Sequence, residues 1–308
     1  MLRIASIGLG DIAQKAYLPV VCNHVEITPV LCTRNTELLK ALAKQYRVEE
    51  CHTNLASLIL AKPDAAMIHS STESHFELAK TLIQNNIPVF IDKPISYHLQ
   101  ETKELITLAN SKGIPLFVGF NRRYAPLLTA IKDKGFTNLR LQKNRSDIIA
   151  QARVFIMDDF IHVVDTLLSF SQSSEINNLQ VQTNWRNNEL AALHVQWSVD
   201  NTHFHGSMNR VCGVTEERFE AFGQLQKWQI DNLSHGSHYQ SGASNQLGFN
   251  DWDSTLLKRG FVNMLDDFIV RVREQKVDPN YSQSILDTHT LCEKIIETAI
   301  SQQPNKGH

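Results

Sequence analysis

The first 120 residues alternate short apolar runs with amphipathic helical patterns, and this alternation limits the possible folds more than any other feature. The apolar runs cover residues 2–7, 27–32, 65–69, 89–91 and 116–119, with helical patterns at 36–45, 74–85 and 99–111. The runs are apolar on both parities, as strands are when helices cover both faces of a sheet. Strand–helix alternation of this kind predicts a doubly wound parallel sheet.

After residue 120 the pattern becomes typical of an antiparallel sheet. Strands are predicted at 139–143, 190–199, 202–209, 218–222 and 227–230, and helices at 158–169, 260–274 and 283–301. Leu193, Val195 and Trp197 fall on one parity, which indicates a sheet with one buried face and one open face. The segment 234–250 is rich in Ser, Gly, His and Asn and is predicted to be a long loop. The fold class is α/β, with a parallel-sheet domain over 1–120 and an α+β domain with a large, mostly antiparallel open sheet over 121–308.

Composition excludes several classes of protein. The chain has 308 residues, 42% hydrophobic and 20% charged, with a formal net charge of -2. Because it has no basic excess and no apolar run near ~20 residues, we expect no nucleic-acid partner and no membrane attachment. Its five cysteines are spread out with no Cys-x-x-Cys, which predicts a cytoplasmic protein without disulfides. His203 and His205 share a strand face, but no third ligand follows at a recognisable spacing, so we predict no metal site.

The first predicted strand ends in a Gly-x-Gly-x-x-Ala turn over residues 8–13. The first glycine permits a tight turn, the second lets a pyrophosphate approach the backbone, and the helix N-terminus favours its charge. A strand–helix turn without a ligand is the alternative. The position directly after an N-terminal strand favours a dinucleotide site formed by Gly8, Gly10, Asp11 and Ile12.

The second predicted strand ends in Cys-Thr-Arg-Asn rather than in an acidic residue. An acidic side chain there would bind the ribose hydroxyls and favour NAD, whereas Thr33 and Arg34 can hold a 2′-phosphate. The equally weighted alternative is that Arg34 is an exposed residue at the helix entry. We therefore predict NAD(P) as the cofactor, with a slight preference for NADP.

Polar side chains follow the other predicted strands of this half. Residues 70–75 follow the third strand, residues 92–94 the fourth and residues 120–124 the fifth. Ligands of open α/β sheets bind outside the carboxyl ends of the strands, so we expect these segments to converge on one crevice. The further predicted cofactor contacts are Ser70, Ser71, Thr72, His75, Asp92 and Lys93.

A helix of the second half carries two carboxylates and an imidazole. Asp158 and His162 are four residues apart, and His162 and Asp165 three, which places them on one face of an α-helix. A carboxylate beside an imidazole can orient it and raise its pKa. The alternative is a helix with a solvated acidic end and one hydrogen-bonded histidine.

In combination these motifs resemble the Gfo/Idh/MocA oxidoreductases, and within them the MviM-like "virulence factor" branch. The resemblance covers nearly the whole chain and also includes Arg-Tyr-Ala-Pro at residues 123–126. It implies a Rossmann domain followed by an α/β domain for substrate binding, whose open sheet often mediates oligomerisation. We accordingly expect a homodimer or a higher homo-oligomer. The resemblance further implies hydride transfer between nicotinamide and a sugar-like hydroxyl carbon, with Lys93, Asp158 and His162 in the catalytic roles.

Those roles fit elementary chemistry. His162 is the best-placed base for the hydroxyl proton, Asp158 orients it, and the Lys93 ammonium stabilises developing alkoxide charge. Other substrate hydroxyls are assigned to Asn121, Arg123 and Asp165.

The chain departs from the family pattern at three places. Residues 70–72 read Ser-Ser-Thr instead of Thr-Pro-Asn, and residues 92–94 read Asp-Lys-Pro instead of Glu-Lys-Pro. Phe160 stands where the family has a small residue, which can narrow the substrate pocket. This last departure leaves open an alternative function, a catalytically silent NAD(P)-binding regulatory protein.

Overall fold

The computed structural model describes residues 1–146, 148–171, 173 and 175–304. They form two compact units. The first comprises Met1–Gly119 and Phe261–Leu286, and the second comprises Phe120–Gly260 and the residues from 287 onward. The chain therefore returns to the first unit after it has built the second sheet, which local sequence patterns do not reveal.

The first unit contains a six-stranded parallel sheet. Its strands are β1 (Leu2–Ile7), β2 (Ile27–Cys32), β3 (Glu50–His52), β4 (Ala65–Ile68), β5 (Val89–Ile91) and β6 (Leu116–Val118). They lie in the order β3-β2-β1-β4-β5-β6, and every neighbouring pair is parallel. This confirms the doubly wound sheet. The sequence did not predict β3, because this three-residue edge strand has no buried residue.

The second unit contains an eight-stranded sheet. Its strands are β7 (Asn138–Asn144), β8 (Asn177–Arg186), β9 (Glu189–Val199), β10 (Thr202–Asn209), β11 (Glu216–Gly223), β12 (Gln226–Asp231), β13 (His235–Gln240) and β14 (Ala243–Leu247). The order is β14-β13-β12-β11-β7-β10-β9-β8. Only β7 and β10 pair in parallel, so the predicted, mostly antiparallel sheet is confirmed.

The long loop predicted over 234–250 is wrong. The segment forms the hairpin of β13 and β14, which turns through Ser241 and Gly242 at φ 49° and 83°. Four of the five residues of β14 are exposed, because it is an edge strand. A strand that buries almost nothing needs no apolar alternation, so its polar composition resembles that of a loop.

The helices account for the remaining regular structure. They are α1 (Leu18–Val21), α2 (Thr36–Tyr46), α3 (Leu55–Leu60), α4 (Thr72–Gln84), α5 (Leu99–Lys112), α6 (Pro126–Thr129), α7 (Ala152–Phe155), α8 (Ile161–Leu168), α9 (Thr255–Lys258), α10 (Phe261–Arg273) and α11 (Pro279–Ser301). Two π-helical turns, Ala13–Tyr17 and Ile156–Phe160, directly precede α1 and α8, and a 3₁₀ turn covers Asn121–Tyr124. In the described part of the chain no helix has the length and apolarity that a bilayer crossing requires.

Local chemistry explains where these helices begin and end. Asn35 caps α2 by accepting a hydrogen bond from the Leu38 N–H at 3.0 Å, and Asn54 caps α3 in the same way. Gly113 ends α5 at φ 67°, a conformation that glycine adopts without strain. The signals at Asn35 and Gly113 lie close to predicted helix boundaries, whereas α3 was not predicted.

Candidate active site

The turn after β1 has the geometry of a phosphate cradle. Gly8 has φ +82°, and a Cβ on it would lie 2.6 Å from the backbone nitrogen of Ser70, so no side chain fits there. Gly10 is exposed, and a Cβ on it would meet nothing within 4 Å. The chain then enters a helix, since the Gln14 N–H donates to the Gly10 carbonyl at 3.1 Å. The open space over Gly10 at a helix start therefore fits a dinucleotide diphosphate.

The side chains just beyond this cradle and the end of β2 are mostly exposed. Asp11 pairs with Lys15 at 2.7 Å, and Ile12 is 41% exposed. Thr33 accepts a hydrogen bond from the Asn35 N–H at 3.4 Å, and Arg34 between them is exposed. In dinucleotide-binding sheets the adenosine ribose binds at the end of the second strand. Arg34 follows β2 and therefore lies on the loop that would contact this ribose.

His75 connects the segments that follow β4 and β5. Its ring is 1% exposed, with Nε2 3.0 Å from the Ser70 carbonyl and Nδ1 2.8 Å from the Pro94 carbonyl. The Lys93–Pro94 peptide bond is cis. Ser71 is exposed and Thr72 half-buried at the start of α4. The imidazole of His75 therefore holds together two of the segments predicted to contact the cofactor.

Tyr17, which the sequence did not point to, contacts a residue of the predicted site. Its hydroxyl donates to Asp92 Oδ1 at 2.8 Å, and the same oxygen accepts the Lys93 N–H at 2.9 Å. Burial, with the neighbouring carboxylate of Asp92, raises the pKa of Tyr17 well above its usual value. A Cβ on Gly119, after β6, would lie 2.7 Å from the Tyr17 hydroxyl. The ends of β5 and β6 therefore meet at Tyr17.

The ring of Tyr17 also stacks on His69, with centroids 4.0 Å apart. His69 is buried, and neither of its ring nitrogens has a hydrogen-bond partner among the residues described. Burial, reinforced by the charge of His75, lowers the pKa of His69 to about 3. His69 is therefore neutral at physiological pH.

In the second unit, the predicted Asp/His helix differs from the expected one. Helix begins at α7, and the π-helical turn Ile156–Phe160 includes Asp158. The prediction that Asp158 and His162 lie on one regular α-helix is wrong. Asp158 lies in a π-helical turn, which closes on the fifth residue instead of the fourth, and His162 follows in α8. Both side chains are partly buried. Turns of this type occur frequently at functional sites.

Phe160 lies in the core between this helix and the sheet. It is 0% exposed, and its Cζ lies 3.2 Å from the position of a Cβ on Gly206 of β10. Val163 approaches the same position to 2.8 Å. Phe160 therefore packs against the sheet, and the regulatory alternative stays a prediction.

The three residues predicted to bind substrate hydroxyls have partners within the second unit. Arg123 Nε lies 3.0 Å from both oxygens of Asp165, and Thr288 donates to Asp165 Oδ1 at 3.1 Å. Burial raises the pKa of Asp165, while Arg123 and Thr288 oppose that rise. Asn121 donates to the Arg259 carbonyl at 2.8 Å. Arg123 and Asp165 thus form a buried ion pair.

A buried group of charges near this helix was not predicted. Arg122 donates to both oxygens of Glu217 at 2.6 and 2.7 Å, and Lys143 forms an ion pair with Asp159, which Arg145 also contacts at 3.1 Å. Burial, with the repulsion of Arg122, lowers the pKa of Lys143 to about 7. Burial acts to raise the pKa of Asp159, but its cationic neighbours hold that pKa well below its usual range. The sequence contained one sign of this group of charges, because Lys143 occupies a position of β7 whose parity is that of the buried residues.

The part of the chain that the structure describes contains no candidate metal-binding site. No three side chains from His, Cys, Asp and Glu gather there as a metal ion would require. The pair His203 and His205 lies on β10, as predicted, and is only partly buried or exposed.

Two family models match the chain. Residues 2–120 match the oxidoreductase family with an NAD-binding Rossmann fold, and residues 125–241 match the YceM-like C-terminal domain. The two matches fall on either side of the sequence position at which the strand pattern changes.

Three known proteins or solved structures resemble the chain over nearly its whole length, and a fourth resembles part of it. A Gfo/Idh/MocA family oxidoreductase from Vibrio cholerae is 35% identical, with a TM-score of 0.93 over 98% of this chain and 99% of that one. A dehydrogenase (MviM) from Clostridium difficile is 27% identical, with a TM-score of 0.89 over 96% and 99%. The protein named "Putative oxidoreductase YceM" from Salmonella typhimurium is 29% identical over 98% and 99%. UDP-N-acetylglucosamine 3-dehydrogenase from Acidithiobacillus ferrooxidans is 25% identical over 62% and 63%.

Proposed function

Because the chain belongs to the Gfo/Idh/MocA family of oxidoreductases, we propose that it transfers a hydride between NAD(P) and a hydroxyl-bearing carbon of a sugar-like substrate. Family membership confirms the resemblance found in the motifs, and the MviM dehydrogenase is a close structural neighbour. The observation that carries the proposal is the open space over Gly10, at the strand-order switch between β1 and β4. Dinucleotides bind at such switch points.

The substrate class is supported by a relative that acts on a sugar. UDP-N-acetylglucosamine 3-dehydrogenase shares 25% identity with the chain over 199 residues. A sugar offers several hydroxyl groups that polar and charged side chains can orient. Oxidation of one of them needs a base for the hydroxyl proton and a donor for the reacting oxygen.

In this proposal the cofactor is held by residues of the first unit. Gly8, Gly10, Asp11 and Ile12 surround its diphosphate, and Thr33 and Arg34 receive the adenosine ribose, with a slight preference for NADP. When bound, NAD(P) supplies the acceptor or donor of the hydride. The segments toward the nicotinamide carry Ser70, Ser71, Thr72, His75, Asp92 and Lys93.

The proton chemistry is assigned to three side chains. The Lys93 ammonium donates a hydrogen bond to the reacting oxygen and stabilises its developing negative charge. His162 takes the hydroxyl proton, and Asp158 orients its imidazole. Because Asp92 accepts the Lys93 N–H at 2.9 Å, the backbone that carries the ammonium is held by the fold itself.

Three further side chains orient the substrate in this proposal. Arg123 and Asn121 contact its other hydroxyl groups. Asp165 acts through Arg123, because it is 1% exposed and its oxygens already accept from Arg123 and Thr288. A guanidinium held in this way keeps a fixed orientation.

The proposal also covers the roles of the two domains and the oligomeric state. Residues 1–120 bind the dinucleotide, and residues 121–308 bind the substrate and mediate a homodimer or higher homo-oligomer. The open face of the eight-stranded sheet supports a second copy as the partner, since it carries a shallow cavity of about 400 Å³ lined by polar side chains. Arg140, Gln142, His194, Gln196 and His205 lie on its wall. A cytoplasmic location is supported by five cysteines that are all without a disulfide.

Separate titrations with NADH and NADPH test this function directly. Nucleotide fluorescence and thermal stabilisation should both report saturable binding, with NADPH binding slightly more tightly. A panel of sugars and polyols should then give turnover with the preferred nucleotide. Failure of both nucleotides to bind at millimolar concentration would rule the function out.

A further inference from the structure

Arg210 is a buried cation, and two of its side-chain nitrogens have no hydrogen-bond partner among the described residues. It is 7% exposed, and the two nitrogens are Nε and Nη1. The Phe155 ring covers its guanidinium at 5.0 Å, but a ring face does not satisfy N–H groups in the guanidinium plane. Leaving a buried charged donor without a partner is costly. Such donors mark a place where an anion is expected.

The backbone holds Arg145 beside Arg210. The Arg145 N–H donates to the Asn209 carbonyl at 2.8 Å, and the Ile148 N–H donates to the Arg210 carbonyl at 2.8 Å. The Arg145 side chain is 38% exposed, so a ligand in solvent can reach it. Burial lowers the pKa of Arg210, and the charge of Arg145 also lowers it, while the carboxylates of Asp159 and Asp158 oppose this change.

Three more cations lie close to this pair. We call Arg122, Lys143, Arg145, Arg210 and Arg259 the cationic cluster. Glu217 pairs with Arg122, and Asp159 is shared by Lys143 and Arg145. No carboxylate among the described residues lies within ion-pair distance of the Arg210 or Arg259 guanidinium. Burial lowers the pKa of Arg259, as do the charges of Arg122 and Arg145.

The cationic cluster adjoins the segment to which proton transfer is assigned. Asp159 is next in the chain to Asp158, and both carboxylates act electrostatically on Arg210. Among the described residues the cationic cluster faces the three carboxylates of Asp158, Asp159 and Glu217, and because the pKa of Lys143 is about 7 the excess is between one and two positive charges. A phosphate monoester carries nearly two negative charges and three acceptor oxygens. Guanidinium forks match that geometry.

We propose that the cationic cluster binds the phosphoryl group of a phosphorylated sugar substrate, with Arg145 and Arg210 as its direct ligands. This inference rests on the proposed function, because it names the substrate class of the same site. The phosphoryl group is either a sugar monophosphate or the diphosphate of a nucleotide-linked sugar. In both cases the anion fixes the sugar with respect to Asp158 and His162.

Isothermal titration with inorganic phosphate tests the site, with NADPH present to fill the turn at Gly10. Arg210→Gln and Arg145→Gln should each weaken phosphate binding roughly tenfold or more, since a charge-assisted hydrogen bond contributes about 1.5–3 kcal/mol. Arg186→Gln is the matched control, because Arg186 is an exposed arginine at the end of β8 in the same unit. This control should bind phosphate as tightly as the unmodified chain.

Organic ligands distinguish the two sources of the phosphoryl group. Glucose 1-phosphate, glucose 6-phosphate and UDP-glucose are titrated in parallel, with glucose and gluconate as comparisons. Binding of either kind of phosphorylated ligand that depends on Arg210 and Arg145 supports the proposal. Phosphate affinity equal in all variants, or preferential binding of gluconate, overturns it. Because Arg145 is partly exposed, its variant keeps the test valid if Arg210→Gln does not fold.

The same variants separate this inference from the proposed function. NADPH affinity should be unchanged in all three, since the nucleotide residues lie in the first unit. Arginine-dependent phosphate binding without NADPH binding would refute the dehydrogenase function alone. NADPH binding and turnover of neutral sugars, without arginine-dependent phosphate binding, would refute the phosphoryl site alone.

Discussion

The Tyr17 hydroxyl and the Asp92 carboxylate form a hydrogen bond of 2.8 Å that joins the first helical segment to the residue before Lys93. The same Asp92 oxygen accepts the Lys93 N–H at 2.9 Å. In the proposed site, Tyr17 would therefore be a positioning residue, which acts on Lys93 through Asp92.

Tyr17→Phe should lower kcat several-fold and leave NADPH affinity within about twofold, because the ring and its stacking remain while the hydroxyl is lost. The variant should also lose about 1 kcal/mol of unfolding free energy, the contribution of a typical buried hydrogen bond. Steady-state kinetics, a nucleotide titration and urea unfolding measure the three quantities. An unchanged kcat would show that the hydroxyl has no positioning role.

Gly8 and Gly10 should respond differently to substitution. Gly8→Ala should lower the unfolding free energy by about 1–3 kcal/mol, because φ is +82° and the new Cβ would clash with Ser70. Gly10→Val should leave stability nearly unchanged, since a Cβ there meets nothing, but should weaken NADPH binding at least tenfold by filling the cradle. Thermal unfolding and nucleotide titration of both variants check this contrast. Equal nucleotide affinity in Gly10→Val would move the diphosphate away from the turn.

Lys93 and His162 should matter for chemistry more than for cofactor binding. Lys93→Ala and His162→Ala should each lower kcat by about 10²–10⁴-fold, the range typical of acid–base groups, with NADPH affinity within about threefold. Lys112→Ala is a suitable control, because Lys112 is exposed at the end of α5. Full activity in either active-site variant would remove that residue from the mechanism.

His69 should make the fold sensitive to acid. Its pKa is about 3 in the folded chain, below the unfolded value of about 6.5, so the unfolded state binds the proton first. The stability that depends on neutral His69 is complete above pH 6.5 and is lost progressively as the pH falls toward 3. His69→Phe keeps a ring against Tyr17 and should flatten this part of the stability curve.

Urea unfolding at pH 7, 6, 5 and 4 measures the effect as the difference between the unmodified chain and His69→Phe. The exposed His98 offers a matched control, and His98→Phe should retain the acid dependence. Parallel curves for the unmodified chain and His69→Phe would contradict the prediction.

The sequence predicted the two sheets well because burial determines them. β1, β2 and β5 have the predicted bounds, since each is an apolar run covered by helices. The strands that escaped prediction, β3, β8 and β14, lie at sheet edges, and β13 is next to one. Edge strands pair through backbone hydrogen bonds and bury few side chains, so their composition carries little signal.

The site was predicted less completely, because its geometry depends on contacts between distant residues. Glycine turns and polar strand ends are local features and could be located from the sequence. The π-helical turn at Ile156–Phe160 has no local signature and changes the register of Asp158. The pairing of Arg122 with Glu217 spans 95 residues, so only the structure reveals it.

The buried pair of Arg123 and Asp165 allows a prediction that separates stability from substrate orientation. Asp165→Asn should lower the unfolding free energy by about 3–5 kcal/mol, because it leaves the Arg123 guanidinium buried without its counter-charge. Thr288→Val removes the 3.1 Å hydrogen bond to Asp165, and the loss of that bond should cost about 1 kcal/mol. If Asp165 acts through Arg123, Thr288→Val should leave kcat and KM nearly unchanged, while Arg123→Lys should raise KM because lysine lacks the planar fork. Urea unfolding and steady-state kinetics of the three variants measure both effects, and an unaltered KM in Arg123→Lys would exclude Arg123 as a substrate ligand.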